Sequence, residues 1–196
     1  VSGYSGIGKT SLICQLRQPT IARRGFFISG KFDTLRQATP LSAIANALDE
    51  FCDDLVSRQN NDVGIFIAIR NSIQVAIGYD SEAIVRLIPN LRKIVPLQQS
   101  TRTSINDGNI EIDAKALNRF IFLFRKFFHA IASPSHPVVL FIDDLQWADT
   151  MSLDLIRSIV CESDARSFLF VGSYRSNEVN HDHPLLSHLG QMRTAG

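Results

Sequence analysis

Cysteine is scarce: Cys14, Cys52 and Cys161 are the three in the chain. Their odd number and wide spacing exclude a disulfide framework and read as free, buried thiols on apolar helical stretches in a reducing, cytoplasmic setting. Charge of one sign is lacking too, since 20 Lys and Arg against 19 Asp and Glu leave a formal net charge of +1. That balance gives no reason to expect direct nucleic-acid binding or an anionic membrane partner. No run reaches the roughly 18 apolar residues of a membrane span, and no signal peptide opens the chain. There is no internal repeat and no low-complexity segment. What is present, 196 residues of which 45% are hydrophobic, suits one globular domain with a sizeable core.

The most informative stretch is Gly3-Tyr4-Ser5-Gly6-Ile7-Gly8-Lys9-Thr10, which fits the phosphate-binding pattern G-x-x-x-x-G-K-[ST] at every fixed position. The physical assignment is direct. Backbone N–H groups from Gly3 through Ser11, including those of Ser5, Gly6, Ile7 and Gly8, curl round phosphates. Lys9 adds positive charge, and the Thr10 hydroxyl is a Mg²⁺ ligand. Thr10-Ser11-Leu12-Ile13 starts a helix whose positive end faces the phosphates. Such a loop normally follows a buried strand, and Val1 and Ser2 are all that precede it. The chain is therefore expected to be a fragment lacking its N-terminal strand.

Short apolar runs and amphipathic helices alternate along the chain. Gly25-Phe26-Phe27-Ile28-Ser29-Gly30 reads as a buried strand. Leu41, Ile44, Ala45, Leu48, Phe51, Cys52 and Leu55 follow helical spacing, with Asp49, Asp53 and Asp54 on the other face. Between Ile65 and Ile77, alternation competes with the helical set Phe66, Ile69, Ile73 and Ile77, and the helix is favoured. Ile84 to Ile94 is helical in spacing, restarted at Pro89 and ended by Pro96. Residues 96 to 113 are polar and aperiodic and contain Asp107-Gly108, as in a mobile connection. A long helix follows, with Leu117, Phe120, Ile121, Phe124, Phe127, Phe128 and Ile131 as a core stripe. Val138 to Ile142 and Phe168 to Val171 are buried strands, with a helix from Ser152 to Cys161 between them. The order predicts an α/β fold: a parallel sheet flanked by helices, a single domain over 1–196, and a helical insertion over 41–132 between the second strand and the acidic strand.

That acidic strand ends in Asp143-Asp144, at the end of a buried strand where ligands of open α/β sheets sit. Asp143 is expected to hold Mg²⁺ with Thr10, and Asp144 to orient or deprotonate the attacking water. A guanine-specifying Asn-Lys-x-Asp should follow the acidic strand and does not. The nearest imitation, Gly30-Lys31-Phe32-Asp33, lacks the asparagine and precedes that strand, so adenine is the expected base. Asp149, before Thr150-Met151-Ser152, reads as a helix N-cap. His181, His183 and His188 sit among Asn180, Asp182 and Pro184 with no fourth ligand at a recognised spacing. They read as a solvated loop before a helix from Leu185 to Leu189, and no zinc is expected. Gln146 and Trp147 follow the acids directly, placed to shape the site or a partner contact, and are assigned no chemistry.

Taken together, the phosphate loop, Phe141-Ile142-Asp143-Asp144-Leu145-Gln146-Trp147-Ala148-Asp149 and Gly172-Ser173-Tyr174-Arg175-Ser176-Asn177-Glu178-Val179 resemble the AAA-type predicted ATPases of the STAND signalling class of P-loop NTPases. The resemblance also runs through Gly30-Lys31-Phe32-Asp33, Ile88-Pro89-Asn90-Leu91 and Asn118-Arg119-Phe120. It implies ATP and Mg²⁺ as ligands and Arg175 at a sensor position that detects the γ-phosphate. It implies a module inside larger regulatory proteins, beside kinase-like, GAF, histidine-kinase, cyclase or transcriptional-regulator domains, with nucleotide-dependent self-association. A C-terminal helical lid and a trans-acting arginine are implied as well; the sequence is expected to end before the lid, and it identifies no residue as that arginine. An aspartate stands where the usual AAA arrangement has a glutamate after the metal-binding acid, which points to slow turnover. Two rivals stay open: a nucleotide-gated scaffold without turnover, and a small-molecule P-loop kinase.

Overall fold

The computed structural model describes residues 1–33, 40–60, 62–78, 81–95, 114–161 and 167–195. At its centre lies β3 (Val138–Asp143), buried at every position. Burial on both faces explains why its sequence is a continuous apolar run rather than an alternating one. β2 (Phe26–Lys31) pairs with it in parallel, from Phe26 opposite Val138 to Lys31 opposite Asp143. β4 (Phe168–Gly172) lies parallel on its other side, from Val138 opposite Phe168 to Ile142 opposite Gly172. One residue later, the chain continues as β5 (Tyr174–Arg175), which pairs in parallel with the short β1 (Ser2–Gly3). That pairing sets the phosphate loop beside the segment carrying Arg175.

Helices fill the chain between the strands. α1 (Lys9–Cys14) and α2 (Arg17–Ala22) follow the phosphate loop, and α7 (Thr150–Val160) links β3 to β4. Between β2 and β3 come α3 (Ser42–Ser57), α4 (Val63–Ile77), α5 (Ser81–Val85) and α6 (Ala114–Ile131). The apolar stripe of α3 is buried from Ile44 to Leu55, and the helix presses on β2 at Gly30. A Cβ there would come within 2.7 Å of the Ala43 carbonyl oxygen, so only glycine permits the close approach. α4 settles the competition between Ile65 and Ile77 in favour of the helix, with Phe66, Ile69, Ile73 and Ile77 inward. Asp62 caps it, accepting from the Ile65 N–H. Pro89 opens a 3₁₀ turn (Pro89–Lys93) after α5, as expected of a residue that cannot continue a helix but can begin one. Asn90 ties this turn to α3 by donating its backbone N–H and side-chain amide to the Asp49 carboxylate.

The phenylalanines of the α6 stripe are core: Phe120, Phe124, Phe127 and Phe128 are buried, Phe127 meets Phe51 and Phe128 edge-on, and Phe128 meets Phe168. Phe122, off the stripe, is exposed beneath Lys126. The expected connection over 96–113 lies outside the described residues. α8 (Pro184–Ala195) runs well past the Leu189 end anticipated for it. One expectation is corrected. The cysteines are free, but Cys52 alone is buried, while Cys14 is exposed and Cys161 intermediate. Cys14 ends a six-residue helix that buries only Ile13, so helical spacing could not put it inside. Cys52 sits among apolar side chains, and burial, followed by the charges of Asp49 and Asp53, pushes its thiol well above the ordinary range. Among the described residues, no helix is long and apolar enough to cross a membrane.

Candidate nucleotide site

The phosphate loop leaves β1 and turns through Gly6 (φ 79°) and Gly8 (φ 88°), left-handed positions that favour glycine. Open space surrounds both glycines, so it is backbone conformation, not packing, that asks for them. Lys9 folds its ammonium back over the loop, donating to the carbonyls of Gly3 (3.0 Å) and Tyr4 (2.8 Å). The loop is a surface feature: Tyr4 and Ile7 are exposed.

Thr10 reaches across the molecule to the acidic strand. Its hydroxyl donates to Asp143 Oδ2 at 2.7 Å, joining residues 133 apart in sequence. The other Asp143 oxygen accepts from the Asp144 N–H (3.0 Å) and from the hydroxyl of Ser173, which is completely buried. Ser173 was not anticipated. It sits in the single-residue gap between β4 and β5, and its side-chain role depends on a parallel pairing that no local pattern displays. Its backbone bonds explain the fixed position: the N–H donates to Ile142 and the carbonyl accepts from Leu145.

Asp144 leaves the strand in the left-handed region (φ 54°), one of three non-glycine residues with positive φ among those described. This conformation is tolerated by aspartate better than by most side chains, and it turns the chain into a 3₁₀ turn (Leu145–Trp147). Two cations converge on its carboxylate: Lys31 Nζ at 3.2 Å and Arg175 Nε at 3.3 Å. Lys31 arrives there because the β2–β3 register sets it opposite Asp143. That register gives Gly30-Lys31-Phe32-Asp33 its meaning. Burial raises the Asp144 carboxyl, but the hydrogen bond from Gln146, the hydrogen bond and charge of Lys31 and the charge of Arg175 together hold it below its ordinary value. Arg175 also pairs with Glu178 at 2.8 Å, and its guanidinium is raised first by that bond and then by the charge of Asp144.

Gln146, expected to shape the site or a partner contact, takes a fuller part in the site than its place after the acids indicates. It is 5% exposed, yet its amide meets Asp144, Glu178 and the Arg175 backbone. A buried glutamine two residues after an acid was a signal in retrospect, since a buried amide needs partners. Asp149 caps α7 as expected, accepting from the Ser152 N–H at 2.8 Å and hydroxyl at 2.6 Å, and it also accepts from the N–H of Leu41 at the start of α3. His188 contacts Asp154 and the Pro184 carbonyl, and His183 accepts from the Leu185 N–H, so each serves local structure.

Thr10 and Asp143 thus bring a hydroxyl and a carboxylate together, oxygen donors of the kind a hard divalent cation takes, although among the described residues no group of three or more His, Cys, Asp or Glu side chains placed to hold a metal forms. Beside this pair lie an acid just past the end of β3 and an arginine on β5, with a glycine-turned loop leaving β1, the partner of β5. This is the arrangement of a P-loop nucleotide-binding fold. The family model described as the AAA ATPase domain matches residues 1–171, and the chain belongs to that family. Among curated proteins, it is similar to hybrid signal transduction histidine kinase G of Dictyostelium discoideum, with 31% identity over 167 residues. That match covers 82% of this chain, which spans only about 4% of the length of that relative. No solved structure matches.

Proposed function

We propose that the chain is an ATP-binding regulatory module, one domain with its helical insertion over 41–132, that hydrolyses ATP slowly and acts by changing shape between its ATP and ADP states. The observation that carries this reading is the hydrogen bond from Thr10 to Asp143, with Asp144 and Arg175 beside it. Gly3, Ser5, Gly6, Ile7, Gly8 and Ser11 contribute loop amides to the phosphates, and Lys9 exchanges its loop carbonyls for phosphate oxygens. Thr10 and Asp143 are the residues to hold Mg²⁺, which when bound supplies charge neutralisation at the phosphates. In hydrolysis, water attacks the γ-phosphorus, the bond to the bridging oxygen breaks, and ADP and phosphate leave. Asp144 accepts the proton of that water, and Arg175 meets the developing charge.

Slow turnover has a physical basis. Asp144 is a short acid with its carboxylate already engaged by Lys31, Gln146 and Arg175, which makes it a weak base. The relative named a hybrid signal transduction histidine kinase supports a setting among other signalling domains, such as kinase-like, GAF or histidine-kinase modules. Adenine, a cytoplasmic location, nucleotide-dependent self-association and the STAND class belong to the same proposal.

The test is ATP binding and phosphate release by the full chain as wild type, Lys9→Ala and Asp144→Asn. The expected outcome is loss of binding in Lys9→Ala, and in Asp144→Asn retained binding with turnover down by roughly 10²- to 10⁴-fold. Wild type that binds ATP and releases no phosphate would identify a nucleotide-gated scaffold instead.

A further inference from the structure

We propose that Gln146 is a positioning residue that couples the acid Asp144 to the segment carrying Arg175 and Glu178. The proposal rests on the reading of Asp144 as the acid of an ATP site. Gln146 is on the 3₁₀ turn just after that acid and is 5% exposed. A buried primary amide has two donors and a carbonyl acceptor to satisfy, and here every contact falls on the two functional segments. Its nitrogen donates to Asp144 Oδ1 at 3.1 Å and to Glu178 Oε2 at 3.3 Å. Its oxygen accepts from the Arg175 backbone N–H at 3.1 Å.

The chemistry of that bridge is specific. Asp144 and Glu178 both draw on the one guanidinium of Arg175, through Nε at 3.3 Å and Nη1 at 2.8 Å. The amide nitrogen of Gln146 lies between the same two carboxylates and offers each a hydrogen bond, which offsets their mutual repulsion. Its oxygen fixes the backbone from which the guanidinium projects. A single side chain therefore sets both ends of the Asp144 and Arg175 pair. A glutamate of the same length keeps the acceptor but brings a third negative charge and no donor. A methionine keeps the shape and loses both.

The charged groups facing Asp144 are Lys31 from β2, Asp143 from β3, Arg175 from β5 and Glu178 from the turn after it. Two of these are cations and two are acids, so the donor from Gln146 helps to decide where the Asp144 carboxylate sits among them. A γ-phosphate competes with Asp144 for Arg175, and through Gln146 that competition moves the acid as well. The residue thereby ties the nucleotide state to the reactivity of the acid.

The experiment compares wild type, Gln146→Met and Gln146→Glu in the full chain, reading kcat, KM and the ratio of ATP to ADP affinity. We expect kcat to fall roughly 10- to 100-fold in both variants, as for loss of positioning next to a reacting group, with KM nearly unchanged, a split that a merely structural role would not give. Glu178→Gln, at the partly exposed end of the bridge, loosens the hold on the Arg175 guanidinium and should change the affinity ratio severalfold, giving a decision even if the variants at position 146 fold poorly. Wild-type turnover with kcat unaltered in Gln146→Met, or with an unaltered affinity ratio in Glu178→Gln, overturns the coupling and leaves Asp144 as the acid. If wild type binds ATP without turnover, the catalytic reading of Asp144 falls and the affinity ratio decides. A severalfold drop in the ratio in Gln146→Met supports coupling to Arg175, and an unaltered ratio overturns it. Wild type that binds neither nucleotide overturns both.

Discussion

The two halves of the candidate site are built in opposite ways. The phosphate loop lies on the surface, with Tyr4, Ile7 and Leu12 exposed, a two-residue strand behind it, and a following helix that buries only Ile13. Its shape comes from glycine dihedrals and from Lys9 bonding to its own loop. The acidic half grows from the most buried strand of the molecule, and its two carboxylates receive donors from five other residues: Thr10, Ser173, Gln146, Lys31 and Arg175. On the function proposed above, a loop that wraps phosphates needs its amides free, whereas an acid that holds one position needs its neighbours. The difference separates an exposed half from a half that its packing and hydrogen bonds fix in advance.

Stability measurements offer the strongest way to break this contrast. Phe124 is wholly buried on α6, and Phe124→Ala should cost about 3–5 kcal/mol by urea denaturation. Leu12→Ala, on the exposed helix after the loop, should stay within about 0.5 kcal/mol. A comparable loss at Leu12 would mean that the loop side is packed far better than its exposure indicates. Within the site, Ser173→Ala removes a buried donor from Asp143 and should cost about 1–3 kcal/mol. Thr10→Ala removes the other side-chain donor to the same carboxylate from an exposed position, and should cost less stability while impairing Mg²⁺-dependent nucleotide binding. Equal costs at the two positions would erase the distinction between the halves.

The same contrast explains what the sequence made legible. The loop is a contiguous motif whose chemistry lies in its own backbone, so it can be read without knowing what surrounds it. Helices α3, α4 and α6 are readable because burial imposes a period, and strands β2, β3 and β4 because each is a short apolar run, although β4 is only half-buried, with Leu169 exposed, where a buried strand is expected. The contacts of Ser173 and Gln146 are not readable, since they join segments 30 residues or more apart: Ser173 to Asp143, and Gln146 to Glu178. Lys31 stands out in the sequence as part of a flawed imitation of a base-recognition motif and of the family resemblance, and a strand register sets it beside Asp144. Cys14 was misplaced because a helical period says which residues share a face but not whether anything covers it.

The smallest expected effect sharpens the comparison through pH. The phosphate loop, Gly3 to Ser11, contains no carboxylate, so any acid-range dependence intrinsic to the site must come from its other half. Desolvation alone would raise Asp144, and it is outweighed by the bond from Gln146 and the cations Lys31 and Arg175, which leave the folded value depressed. A depressed carboxylate stabilises the fold at pH values above its unfolded value, and that contribution is lost as pH falls through the lower, folded value. Melting temperature followed downward from neutrality should therefore decline in wild type partly through this group. Asp144→Asn, which has no charge to lose, should show a shallower decline over the acid range. Added salt should trim the wild-type advantage, because the Lys31 end of the pair is 64% exposed and open to screening. Identical acid profiles for the two proteins would mean that the cations around Asp144 do not hold it in solution, and the acidic half would then be no more fixed in advance than the loop it faces.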